Sequence, residues 1–116
     1  AALGVAGCTA EPATVFDTSI RYDGQTYMVR EVRRAKRMET TLFQIGAAGR
    51  TKVGGRPGAV IHYTTDDIVR GLPSKDRLIR NAERDGDRFT ALLFRVVRDG
   101  ERLGEAAARE TRLLWD

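Results

Sequence analysis

The sequence predicts an α+β fold: a mainly antiparallel sheet of about five strands, a helical region at 65–84 and a C-terminal helix. Three observations carry that expectation. Asp-Gly pairs at Asp23-Gly24 and Asp99-Gly100 separate β-prone runs, and Asp-Gly tolerates the positive φ angles of a two-residue hairpin turn. Stretches rich in β-branched and aromatic residues recur between glycines, as strands require. Thr64-Thr65-Asp66-Asp67 and Ser74 place N-cap and acidic first-turn residues ahead of apolar positions, the signature of helix starts.

The best-defined element is a hairpin of Thr14–Tyr22 and Gln25–Arg33 around Asp23-Gly24. With Tyr22 opposite Gln25, Ile20 meets Tyr27 and Thr18 meets Val29. One face then carries Phe16, Thr18, Ile20, Tyr27 and Val29, mostly apolar, as a half-buried sheet demands. Thr40–Ile45 reads as the third strand. The segment 46–58 is glycine-rich, basic and poor in large side chains, which predicts a mobile loop. It does not fit a phosphate loop, because no Gly-Lys pair occurs in it.

Ala59–Tyr63 reads as a fourth strand. Two short helices follow, one through Ile68, Val69 and Leu72, the next from Lys75 to Glu83 with Leu78, Ile79 and Ala82 on one side and Asp85-Gly86-Asp87 as its end. The near-continuous apolar run within Arg88–Arg98 predicts a central buried strand, and Asp99-Gly100 a second hairpin. Beyond it we expect a strand to Leu103, then a helix from Gly104 to Leu114, because Glu105-Ala106-Ala107-Ala108-Arg109-Glu110 is rich in helix formers.

Charge is unevenly placed. Residues 30–58 hold Arg30, Arg33, Arg34, Lys36, Arg37, Arg50, Lys52 and Arg56 against Glu31 and Glu39 alone, in a chain of net charge +4. A local excess of this kind favours anionic partners. Arg33, Arg34, Lys36, Arg37, Arg50, Lys52 and Arg56 are therefore the candidate anion-binding residues; a solvated, arginine-rich surface would have the same composition. Phe43 is the only aromatic in the segment, and single-strand nucleic-acid binders interleave several for stacking. Nucleic acid is thus the less favoured partner.

The chain begins Ala1-Ala2-Leu3-Gly4-Val5-Ala6-Gly7-Cys8 and contains no other cysteine. Val5-Ala6-Gly7-Cys8 resembles the lipobox of bacterial lipoproteins, in which small residues admit a peptidase and the cysteine thiol accepts a diacylglycerol. The resemblance implies that residues 1–8 are the remnant of a signal peptide with its lipidation site, 9–13 a tether containing Pro12, and 14–116 one α+β domain. It also implies a membrane partner through acyl chains on Cys8. The absence of Asp at Thr9 implies the periplasmic face of the outer membrane.

Catalytic and metal-binding patterns are sparse. A Ser-His-Asp triad would have to use His62, the only histidine, yet no G-x-S-x-G elbow surrounds Ser19 or Ser74. His62 with Asp66 and Asp67 lacks the ligand spacing of a metal motif, and no cofactor motif is found. Trp115 reads as a core or sheet-edge plug. The sequence therefore predicts a non-catalytic, membrane-tethered envelope lipoprotein domain that binds a protein or envelope polymer; the alternative is a soluble anion- or nucleic-acid-binding domain using residues 30–58.

Overall fold

The computed structural model describes residues 12–61, 71, 73–105 and 109–111. Six strands and two helices run in the order β1 (Ala13–Tyr22), β2 (Gln25–Arg34), β3 (Arg37–Gly46), β4 (Gly49–Pro57), α1 (Lys75–Arg84), α2 (Arg88–Asp99), β5 (Glu101–Glu105) and β6 (Arg109–Thr111). The strands form one antiparallel sheet ordered β4-β3-β2-β1-β5, with β6 also on β1. The α+β class expected from the sequence is correct.

The first hairpin has the expected register, with Tyr22 paired to Gln25, Ile20 to Tyr27 and Thr18 to Val29. Its turn places Asp23 at φ 50° and Gly24 at φ 74°, the type I′ geometry that matches the strand twist. Nothing lies within 4 Å of a Cβ built on Gly24, so only backbone strain opposes substitution there. A Gly24→Val chain should lose about 1–2 kcal/mol, read as a lower midpoint in a urea melt; coincident melts would exclude the type I′ turn.

Strand alternation sends Thr18, Ile20, Val29 and Leu42 inward, all at 0 % exposure. There Ile20, Val29 and Leu42 meet Val60, Ile61, Ile79, Leu93, Phe94, Val96 and Val97 in one apolar cluster. Each large side chain buried in this way contributes roughly 1.5–3 kcal/mol. Phe16, expected on the same face, is half-buried. Ala13 and Val15, of opposite parity, are buried too, so the outer face is open over β2 to β4 and closed at the start of β1.

Five expectations need correction. Residues 46–58 are not a loop: Gly46 and Gly49 close a tight turn and β4 pairs with β3 along its length, with a shift of register at Leu42 and Phe43. Gly54 serves packing, since a Cβ there would lie 2.7 Å from the Phe89 ring. Ala59–Ile61 is not a strand; it is a non-repetitive crossing that buries Val60 and Ile61, while 62 and 63 lie outside the described residues.

The apolar run at 88–98 is the helix α2, not a central strand. Asp87 caps it, its side chain accepting the Thr90 N–H at 3.0 Å. Ala91, Leu93, Phe94, Val96 and Val97 are buried while Arg88, Arg98 and Asp99 are exposed, an arc of helical period that overrides β propensity. Asp99-Gly100 is consequently no hairpin: Gly100, at φ −74°, caps α2 through its N–H to the Val96 carbonyl at 2.9 Å. Finally, β5 extends to Glu105 and β6 occupies Arg109–Thr111, where a helix was expected over Gly104–Leu114. The open edge of β1 offers a ladder of backbone partners, which outweighs helix propensities of under ~1 kcal/mol per residue.

The helix beginning after Ser74 is as expected, with the Ser74 hydroxyl accepting the Arg77 N–H at 3.3 Å and Ile79 and Ala82 buried. The earlier helix, through Ile68 and Leu72, lies outside the described residues.

Candidate anion-binding face

The register of β1 to β4 sorts the basic segment between two faces. Arg30 pairs with Thr41, Arg34 with Arg37 and Phe43 with Met28, while Phe43 faces Lys52 and Ile45 faces Arg50 on β4. All of these share the outer face, opposite the helices. Within it, Arg30, Val32, Arg34, Glu39, Thr41, Phe43 and Lys52 line a groove of about 350 Å³. An adjoining concavity reaches Gly55, Arg56 and Pro57.

Asp17 fixes one wall. Its carboxylate accepts from Arg30 Nε at 2.8 Å and Nη2 at 3.0 Å, with the two side chains only 16 % and 20 % exposed. This two-point hydrogen bond, opposed by burial and aided by the charge of Asp17, raises the Arg30 pKa above its ordinary value, so the guanidinium stays charged. Arg30 lies 5.8 Å from the Phe43 ring centre on the β2 side, and Arg50 lies 4.8 Å from it on the β4 side. Such contacts are worth about 0.5–1 kcal/mol at exposed sites; here they hold two cations to one ring.

Of the residues singled out by charge, Arg34, Arg37, Arg50 and Lys52 share the outer face, and of these Arg34 and Lys52 line one groove. Arg33 and Lys36 join Arg34 and Arg37 at the tip of the β2–β3 hairpin, whose turn is Ala35-Lys36. Arg56 borders the adjoining concavity, but its guanidinium is turned away from the groove. It lies on the inner face 5.0 Å from the Phe94 ring centre, and its charge helps to lower the pKa of Asp87, chiefly depressed by hydrogen bonds from Thr90. Arg56 is therefore part of the packing between β4 and α2. Charge counting missed Asp17 and the pairing role of Arg30, although the predicted hairpin register already sets those two residues opposite each other. It also missed Phe43 as the ring between two cations, which required β4 to be a strand.

The groove lining offers ammonium and guanidinium donors, the Thr41 hydroxyl and one carboxylate, Glu39. This is equipment for holding an anion. Cys8, His62, Asp66, Asp67 and Trp115 lie outside the described residues. Among the described residues no cluster of His, Cys, Asp and Glu is arranged to hold a metal ion, and no helix is long and apolar enough to cross a membrane. Comparison with protein families, curated proteins and solved structures finds no match to this chain.

Proposed function

We propose that this chain is a non-catalytic, membrane-tethered domain of the bacterial cell envelope that binds an anionic partner, an acidic protein face or an envelope polymer, on the outer face of its sheet. The observation that carries the binding role is the groove in which Arg34 and Lys52 line a cavity beside the Arg30-Phe43-Arg50 array. The tether rests on the lipobox-like Val5-Ala6-Gly7-Cys8, and with it the placement at the periplasmic face of the outer membrane. Nucleic acid fits the face less well, because the Phe43 ring is already engaged by two guanidinium groups rather than open for base stacking.

Because β4 is an ordered strand, Arg50 and Lys52 bind without the ~1–2 kcal/mol per residue that ordering a loop would cost. Titrating the chain with lipopolysaccharide should show affinity that falls as salt rises, and Arg50→Gln/Lys52→Gln should weaken it about tenfold or more. Arg56→Gln should leave that affinity within about twofold, since Arg56 faces the helices. Stronger binding to single-stranded DNA than to lipopolysaccharide, or indifference to the double substitution, would refute this assignment. The tether is tested separately: a clickable fatty acid should label cells expressing the precursor but not its Cys8→Ala form.

A further inference from the structure

We infer that the tip of the β2–β3 hairpin docks on the anionic phosphate headgroups of the membrane to which the chain is tethered, so that the sheet stands with this end at the bilayer. The inference rests on the tether at Cys8 proposed above and adds a surface and an orientation to it. Arg33, Arg34, Lys36 and Arg37 fall within five residues. Arg33, Lys36 and Arg37 are exposed, and among the described residues none of the four is held in an ion pair.

The position of β1 supplies the second observation. Thr14 pairs with Arg33, and Pro12, Thr14, Arg33, Arg34 and Ala35 together line a concavity of about 230 Å³. The chain therefore enters the fold beside the basic tip, and the Asp23-Gly24 turn lies at the far end of the same strands. Only four residue steps separate Cys8 from Pro12, a reach of roughly 14 Å fully extended. The headgroup layer of one leaflet takes up about 5–7 Å of that. What remains is about one Debye length at physiological salt, ~8 Å, so acyl chains on Cys8 would hold the tip where anionic headgroups attract it. A lipid anchor joined to a polybasic patch is a two-signal attachment. In this orientation the outer-face groove stays open beside the bilayer.

Vesicle partition of the unlipidated 116-residue chain tests the charge half without relying on Cys8 chemistry. We expect sedimentation with vesicles of phosphatidylcholine and phosphatidylglycerol but not with phosphatidylcholine alone. Each cation near such a surface is worth about fivefold, so Arg33→Gln/Lys36→Gln/Arg37→Gln should lower partition about a hundredfold, and Lys36→Gln alone, at a turn position, about fivefold. Arg50→Gln, the groove variant for this comparison, should change it less than about threefold, since its β3 partner Ile45 lies eight residues along the strand from Arg37. Thermal melts confirm that each variant folds. Absence of partition onto the anionic vesicles at low salt, equal losses from the tip and groove variants, or tighter binding of the tip to single-stranded DNA would each overturn the inference. A failure of fatty-acid labelling alone would overturn the tether and leave the vesicle result standing, which distinguishes the two.

Discussion

A Gly100→Ala chain is expected to lose about 3 kcal/mol of stability, and it would do so without any backbone strain. Gly100 sits at φ −74° and ψ 156°, a conformation alanine adopts freely, so the cause is the space around it. A Cβ there would fall inside the van der Waals contact distance of Ile20 Cγ2 and of the Val96 carbonyl oxygen, and 3.3 Å from the Arg21 carbonyl oxygen. Ile20 and Val96 are both 0 % exposed. Neither can retreat without moving β1 or the last turn of α2, and the Gly100 N–H bond to Val96 at 2.9 Å is the one that ends that turn. Overpacking of this kind costs about 1–3 kcal/mol and more when backbone must shift, against a total of roughly 5–15 kcal/mol for a domain. Gly104→Ala is the control, since nothing lies within 4 Å of a Cβ on that residue of β5; it should change the free energy of unfolding from urea melts by under about 0.5 kcal/mol. Equal midpoints for the two variants would mean that α2 and β1 approach less closely than described.

Gly100 also shows where sequence reasoning stopped. Asp99-Gly100 has the same two letters as Asp23-Gly24, but only Asp23-Gly24 takes positive φ. The turn chemistry is identical; what differs is the element before it. Taken as a strand, 88–98 makes Asp99-Gly100 a hairpin, whereas taken as a helix it makes Gly100 the cap through which the chain re-enters the sheet. The run Phe89-Thr90-Ala91-Leu92-Leu93-Phe94 is apolar at nearly every position, so no period stands out within it. The helical period is set by Arg88, Arg95 and Arg98, and the start by Asp87. Short apolar runs carry this ambiguity by nature. The first hairpin was legible because its alternation, its turn and its cross-strand pairs agree with one another. The helix α1 was legible because Ser74 caps it and its apolar residues are spaced widely enough to show a face.

Composition misled in a different way at β4. Gly49–Pro57 has little intrinsic preference for a strand, yet it completes the ladder of β3, and its glycines admit Phe89 and the β3 backbone at short range. A strand that exists because its neighbour supplies hydrogen bonds and its small residues supply room leaves no propensity signal. The candidate site inherits that difficulty. Its cations were visible by counting, but their sorting onto the outer face depends on a register that includes β4. The C-terminal strands show the converse: Glu105, Arg109 and Glu110 favour helix in isolation, and the unpaired edge of β1 takes them into the sheet.

Glu31→Ala should cost about 3–4 kcal/mol, although counted by charge this residue is only one of two acids among the arginines. Glu31 is 0 % exposed and lies on the inner face between Phe16 and Thr40. Its Oε2 accepts the Val60 N–H at 2.7 Å and the Ile61 N–H at 3.4 Å. Just before them, Gly58 donates its N–H to the Met38 carbonyl at 2.7 Å and accepts the Thr40 hydroxyl at 2.5 Å. These bonds turn the chain out of β4 and under the sheet, where Val60 and Ile61 enter the core. Alanine at 31 would strand two buried N–H groups at about 1–3 kcal/mol each and leave a cavity besides. Glu31→Gln keeps a carbonyl oxygen that can accept the stronger of the two bonds, so it should cost about half as much. Urea melts of the two variants give the comparison, and a Gln chain as unstable as the Ala chain would show that the acceptor is not what matters. The effect should also reach the outer face. Glu31 holds the segment that follows β4, so loosening it frays the strand that carries Arg50 and Lys52, and lipopolysaccharide binding should weaken in the alanine variant more than in the glutamine one.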